Sequence, residues 1–448
     1  MICAPISGVT FISVPGMVVA KGYSYLQMCL GFIVGYLIIA FVLLPIYYRQ
    51  RVVSIYSFLG NRFGKSTYKT GACFFLISKI SGTAVKLFVI CTVLQVLVFD
   101  VIGLPFPVTV LITLALVFLY TAKGGVKAVV WVDMLKCVCL IISVCVCIFC
   151  ITNFLGLGFD DIGDIVSNHH TSYIFNFSEP EKESYFWKQF IAGIFLVVAM
   201  TGLDQDMMQH PLACRNATQS MKNMLVSSIM QFIVITMFLV LGSLLIIYAE
   251  QQNVTLPTKS DNLFATIAFD DHLPGIVGIF FILGLVSATY SSVGSALTSL
   301  TTSYTLDIKG FDSLQDSYTL TRHRLRAHAS MTLVLATVII VFYYMSNQDA
   351  ISTIFMLASY TYGPLLGLFI FGLLCHRKVD DRMTPVVCII TPILCLLLQW
   401  LCRRYLEYEI GFELLIINTA ITLTGLCLVG LMTRQDTYYE VEERKEEL

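Results

Sequence analysis

The sequence predicts an all-α protein that crosses a membrane many times, and three observations carry that expectation. The 448 residues are 57% hydrophobic and only 13% charged, whereas a soluble domain carries about 25% charged residues. Apolar runs long enough to cross about 30 Å of hydrocarbon recur along the whole chain. Lys and Arg gather in alternate connecting loops, the pattern of cytoplasmic loops in a multi-pass protein. A net charge of −1 argues against nucleic-acid binding, which needs a basic stripe.

Taken in order, about 12 segments have spanning character. They are residues 3–19 (short), 24–48, 70–98, 103–121, 126–154, 187–206, 222–248, 273–305, 328–346, 350–375, 384–401 and 410–432. The polar stretches 155–186 and 251–272 are the longest connections, and none reads as a separate soluble domain. One set of loops holds Arg49, Arg51, Arg62, Lys65, Lys69, Lys123, Lys127, Arg215 and Lys222. It continues with Lys309, Arg322, Arg324, Arg326, Arg377, Lys378 and Arg382. The other set is acidic, with Asp160, Asp161, Asp164, Glu179, Glu181, Asp270 and Asp271. The basic set and the acidic tail from Glu440 are therefore expected in the cytoplasm. Arg403 and Arg404 are the exception.

The start departs from regular helix. Pro5, Gly8, Pro15 and Gly16 punctuate a short apolar run with no basic residues before it, so a secretory signal is not expected. It reads as the second part of a broken helix. Thr201-Gly202-Leu203-Asp204-Gln205, near the end of the sixth span, is a weaker parallel. Unwound backbone at mid-membrane is tolerated only where protein or a wet cavity satisfies it, and transporters use it to hold ions and substrates.

Of the 15 cysteines, Cys137, Cys139, Cys145, Cys147 and Cys150 share one span. They read as small polarizable filler rather than as a metal site or disulfide framework. The run from Ser287 to Ser299 places Ser291, Ser295 and Thr298 on one stripe at spacings of four and three, with Ser292 and Ser299 beside it. Such hydroxyls either let helices pack closely or offer neutral oxygens to a hard monovalent cation. Lys79, Lys86, Asp133 and Lys136 are the ionisable residues within spans, each a functional candidate because it is costly in lipid. Lys136 is expected to snorkel and Lys79 to pair locally. Asp133 is the better cation ligand.

No enzyme is expected. Gly60-Asn61-Arg62-Phe63-Gly64-Lys65-Ser66 is one residue short of a phosphate-binding loop. His169-His170 reads as a solvated pair.

Several stretches together resemble the sodium/solute symporter family, whose members carry sugars, proline, pantothenate or sialic acid. They are Ser7 to Gly16, Arg62-Phe63-Gly64, Gly124 to Asp133, Gly202 to Gln209, and Ser287 to Asp307. The resemblance implies a leucine-transporter-type fold of two inverted five-helix repeats with peripheral C-terminal helices. Residues 1–154 would be the first repeat, 155–186 an extracytoplasmic loop and 187–376 the second repeat. Residues 377–433 would be peripheral helices and 434–448 an acidic cytoplasmic tail. Family members carry an outer helix and the first half of the broken helix before the point where this sequence starts.

The resemblance further implies sodium-coupled symport of a small organic solute by alternating access, in a plasma membrane of bacterial inner-membrane type. The alternatives are a solute sensor or an inactive truncated copy. Sodium is the implied coupling ion, with no cofactor. The partners are a sugar, carboxylate or amino acid, and the lipid bilayer. By motif, carbonyls of Cys3, Ile6 and Ala288 and hydroxyls of Ser291 and Ser292 would hold sodium. Asp133, Ser291 and Ser295 would hold a second ion, although Gly294 stands where a further serine is expected. The substrate positions would be Thr10, Cys29, Val197, Gln231 and Phe355, too poor in polar groups to hold a hexose as galactose carriers do.

Overall fold

The computed structural model describes residues 6–50, 54–158, 163, 173–212, 214, 216–310, 317–345, 350–375, 377–406, 408 and 410–433. The side chains of 123–130, 317–320, 345 and 350–352 are excepted. In chain order the helices are α1 (Gly8–Lys21), α2 (Tyr25–Gln50), α3 (Ser57–Arg62), α4 (Lys65–Phe99) and α5 (Phe106–Phe154). There follow α6 (Phe186–Gly202), α7 (Gln205–Leu212), α8 (Ala217–Gln252), α9 (Leu263–Ala268) and α10 (Ile276–Ile308). The last four are α11 (Ser317–Met345), α12 (Ala350–Leu374), α13 (Thr384–Tyr405) and α14 (Leu414–Met432).

Nine helices among the described residues are long and apolar enough to cross a membrane. The pair α6–α7, bent by 70°, is a tenth. The shorter apolar helices Gly8–Lys21 and Phe106–Ala122 account for the rest of the twelve expected segments. One boundary differs from expectation. The fourth and fifth segments are not separated by a loop but lie in the single 49-residue α5, which at 1.5 Å per residue holds roughly two spanning lengths.

Local sequence explains the two irregular helices. Ser7 is extended, with φ −113° and ψ 170°, and its N–H donates to Thr10 Oγ1 at 3.3 Å, so α1 starts at Gly8. Residues Phe11 to Val18 are all buried, and Phe11 packs against Phe238, Phe264 and Phe281. α1 is therefore the central helix, enclosed by α8, α9 and α10. The break between α6 and α7 follows a π-helical turn at Val198–Gly202. Asp204 then restarts the helix, its Oδ1 accepting from the N–H groups of Asp206 (2.8 Å) and Met207 (3.2 Å), as an N-cap carboxylate does.

Small residues set the closest packing. A Cβ on Gly31 of α2 would lie 2.1 Å from the Phe190 carbonyl oxygen, and one on Gly193 of α6 would lie 2.4 Å from that of Met28. In lipid, where apolar side chains gain nothing by meeting each other, such backbone approach drives helix association. α13 presents Ile389, Ile393, Leu396 and Trp400 outward, as a peripheral lipid-facing helix does.

The connecting segments divide into two bonded groups. At one end Arg62 Nη2 donates to the carbonyls of Cys375 (2.7 Å) and Arg377 (3.0 Å), and Tyr48 OH donates to those of Pro211 and Cys214. These are the loops carrying the basic residues. At the other end Lys21 pairs with Glu183 at 3.1 Å, and Gln27 Nε2 donates to the Ser184 carbonyl. The run from Gly60 to Ser66 has a structural role. The Asp381 carboxylate accepts from the N–H groups of Ser66 and Thr67 (both 2.8 Å) and from Thr67 Oγ1 (2.7 Å), capping α4. Gly64 sits at φ +137°, and a Cβ there would lie 2.6 Å from Asp381 Cγ.

Candidate functional site

A cavity opens at the break between α6 and α7, with about 160 Å3 of internal space. It is bounded by α1, α2, α4, α5, α8, α10 and α12. Helical spacing explains its charged wall. Lys79, Gly82, Thr83 and Lys86 recur at three- and four-residue intervals on α4, and Asp133 and Lys136 lie three apart on α5. Ser292 and Ser295 face them from α10, and Asp204, Asp206 and His210 come from the break and α7. Val9, Phe32, Leu196, Val197, Ile354 and Phe355 add an apolar part to the lining.

The charged groups form two clusters. Lys79 Nζ lies 3.1 Å from Asp204 Oδ2 and 2.7 Å from Asp206 Oδ2, all three side chains being less than a tenth exposed. Tyr362 OH donates to Asp204 Oδ2 at 2.8 Å, and Ser295 Oγ donates to Asp206 Oδ1 at 2.5 Å. In the second cluster Ser291 Oγ donates to Asp133 Oδ1. His210 Nε2 lies 3.6 Å from Asp133 Oδ2. Lys136 Nζ donates to Ser292 Oγ at 3.4 Å. A binding cavity with ionisable groups held at membrane depth, beside a broken helix, is the arrangement secondary transporters use.

The model of the sodium:solute symporter family matches residues 1–381. The chain belongs to that family. It is 24% identical over 386 residues to the sodium/iodide cotransporter of Homo sapiens, covering 82% of this chain and 57% of that one. It is 26% identical over 382 residues to the sodium-dependent multivitamin transporter of Oryctolagus cuniculus, covering 82% and 58%. With the sodium/sialic acid symporter NanT of Aliivibrio fischeri (strain ATCC 700601 / ES114) it shares 25% identity over 406 residues, covering 86% and 76%. The chain thus spans 57% and 58% of the length of the first two relatives. Among solved structures, a substrate-bound outward-open Na+-coupled sialic acid symporter superposes with a TM-score of 0.81 at 18% identity. The match covers 97% of this chain and 89% of that one. The fold is the leucine-transporter type, and the chain is a multi-pass membrane protein.

Within this symporter fold the sequence-singled residues are placed as follows. Thr10, Val197, Gln231 and Phe355 line the cavity. Gln231 Oε1 accepts from Tyr36 OH at 2.9 Å. Cys29 does not line it. It is 2% exposed, on the α2 stripe between the lining residues Tyr25 and Phe32. Ala288 and Ser291 are fully buried, and Ser292 faces the cavity. Ile6 is buried just before α1, and a Cβ on Gly8 would lie 3.3 Å from Thr289 Oγ1, so the start of α1 abuts α10 beside Ala288. Cys3, His169 and His170 lie outside the described residues.

Asp133 and Ser291 meet directly, whereas Ser295 turns to Asp206 instead. Gly294 has a steric reason. Tyr120 OH, which donates to the Tyr290 carbonyl, occupies the space any Cβ at 294 would need. Two expectations for lysines are corrected. Lys79 pairs not locally but with carboxylates 125 and more residues away, because the helix break brings them to α4. Lys136 does not snorkel. It is 1% exposed and held by Ser292. Cys139, Cys145, Cys147 and Cys150 are free thiols, as filler would be, but Cys137 is disulfide-bonded.

Sequence reading missed Asp206, His210 and Tyr362. The signal for Asp206 was Asp204-x-Asp206 at a helix break, two carboxylates directly after the apolar sixth span.

Proposed function

We propose that this protein is a sodium-coupled symporter of a small organic solute, working by alternating access in a plasma membrane of bacterial inner-membrane type. The single observation carrying the proposal is the cavity at the α6–α7 break, lined by three lysines and three aspartates and bordered by α1 and α10. The relatives' names point the same way, each being a sodium-coupled carrier.

In this reading sodium is held where α1 abuts α10, by the carbonyls of Cys3, Ile6 and Ala288 and the hydroxyls of Ser291 and Ser292. Sodium ties the two helices together and stabilises the outward-open state. A second ion would sit at Asp133 with Ser291, and Ser295 would join it only by leaving Asp206. Solute at the break then permits closure, inward opening and release. The bonded loops of Arg62 and Asp381 would face the cytoplasm. At about 100 mV one sodium moved inward supplies about 2.3 kcal/mol, and a tenfold gradient adds roughly 1.4 kcal/mol.

The test is uptake into proteoliposomes holding the full chain, with and without an inward sodium gradient, across labelled carboxylates, sugars and amino acids. Sodium-dependent accumulation that Ser292→Ala abolishes is the expected result. Solute binding without accumulation would overturn transport in favour of a sensor.

A further inference from the structure

We propose that Lys86 is an anion anchor and that the solute it holds is a small organic monocarboxylate. This rests on the transport reading for the solute's passage, but not for its binding.

Lys86 lines the cavity, yet among the described residues nothing pairs with it. The nearby acids are already engaged. Asp204 and Asp206 belong to Lys79, Tyr362 and Ser295. Asp133 is held by Ser291 and lies beside His210. The charges whose fields reach Lys86 are the ammoniums of Lys79 and Lys136 and the carboxylates of Asp204 and Asp206, the latter two already bonded to Lys79. An ammonium at membrane depth is expensive unless something compensates it, so its missing partner is expected from outside the chain.

Formal charge supports the same reading. The cavity holds three lysines and three aspartates, so with His210 neutral it sums to zero. One sodium and one monoanion entering together preserve that sum, whereas sodium with a neutral solute leaves a net charge in low dielectric.

Shape then selects among anions. Beside Lys86 on α4, a Cβ at Gly82 would have nothing within 4 Å, so the space against the anchor is open. The apolar lining from Phe32, Leu196, Val197, Ile354 and Phe355 gives an organic tail an apolar bed that a bare inorganic anion would not use. At about 160 Å3 the space is close to the 150 Å3 cavity that accommodates benzene, which sets the ligand at roughly six heavy atoms.

Butyrate matches that size, and butyramide is its neutral isostere. Thermal unfolding of the full chain in nanodiscs would be followed against sodium butyrate, butyramide and sodium iodide, at constant sodium. A saturable upward shift with butyrate alone is expected. In Lys86→Met the butyrate concentration for half the shift should rise roughly tenfold or more, because a charge-assisted bond is lost, and Lys86→Arg should restore most of it. Gly82→Ala, whose Cβ would meet nothing within 4 Å, should weaken butyrate binding with little change in the unliganded midpoint.

Equal shifts with butyramide, a shift with iodide alone, no shift with butyrate, or a butyrate shift unchanged in Lys86→Met would each overturn the proposal. Lys86-dependent butyrate binding without sodium-driven butyrate uptake would leave the anchor standing and remove the transport reading instead.

Discussion

Two charge clusters face the same cavity and are built differently. Around Lys79 the bonds are complete. Two carboxylates meet one ammonium at 3.1 and 2.7 Å, Tyr362 and Ser295 satisfy remaining oxygens, and Asp204 also caps α7. Around Lys136 and Asp133 the contacts are sparser. One hydroxyl holds the ammonium at 3.4 Å, and a histidine stands 3.6 Å from the carboxylate. Lys86 beside them has no partner among the described residues. A complete cluster fixes the two halves of the broken helix against α4, whereas an incomplete one leaves room for ions and solute to finish it. The same residue types thus serve rigidity in one place and binding in the other.

The largest effect that separates the two is stability. Lys79→Met leaves Asp204 and Asp206 facing each other without a cation, and removing one partner of a buried pair costs about 3–5 kcal/mol. The variant should show a much lower melting point and a smaller monodisperse fraction in detergent. Lys86→Met removes an ammonium that has no partner, so its melting point should equal or exceed that of the parent. If the two variants melt alike, the division into complete and incomplete clusters fails.

This difference was only half legible in the sequence. The spans were, because apolar runs and alternating basic loops are local signals, and so was the second break, marked by Thr201 to Gln205. The lysines and Asp133 stood out because any charge inside an apolar run does. Their partners did not. Nothing within either segment states that Lys79 meets Asp206, since that depends on a 70° bend folding α7 back toward α4. Gly294 looked like a lost serine, and only Tyr120, from another helix, explains it. The run around Gly64 looked like a short phosphate loop, yet its open amides are filled by Asp381, more than three hundred residues away.

That last contact extends the comparison to a complete carboxylate outside the membrane. Burial pushes the Asp381 carboxyl up, but hydrogen bonds from the Thr67 side chain and the Ser66 and Thr67 amides outweigh it and hold it below the usual range. A depressed carboxylate contributes stability above its unfolded value of about 3.9, and the contribution is lost as pH falls through the lower folded value. Asp381→Ala should therefore cost about 0.5–2 kcal/mol, the range for losing an N-cap, at neutral pH. The difference from the parent should vanish in strong acid, in melts compared from pH 7 downward. A penalty that persists unchanged in acid would show that the carboxylate's charge is not what caps α4.

The smallest expected effect tests the incomplete cluster where it touches sodium. Among the described residues Lys136 Nζ donates to Ser292 Oγ, a hydroxyl that would also hold the ion, so ammonium and sodium contend for the same oxygen. Lys136→Gln keeps a donor for Ser292 and removes the charge. Two unit charges 4 Å apart in a water-like medium repel by about 1 kcal/mol, so the sodium concentration giving half-maximal uptake should fall roughly fivefold, with little change in melting point. The readout separates roles, because a merely structural lysine would alter stability and leave sodium dependence alone. An unchanged half-maximal sodium concentration would place the ammonium off the ion's route. Ser292 would then remain a sodium ligand, but its contact with Lys136 would belong with the complete cluster rather than the open one.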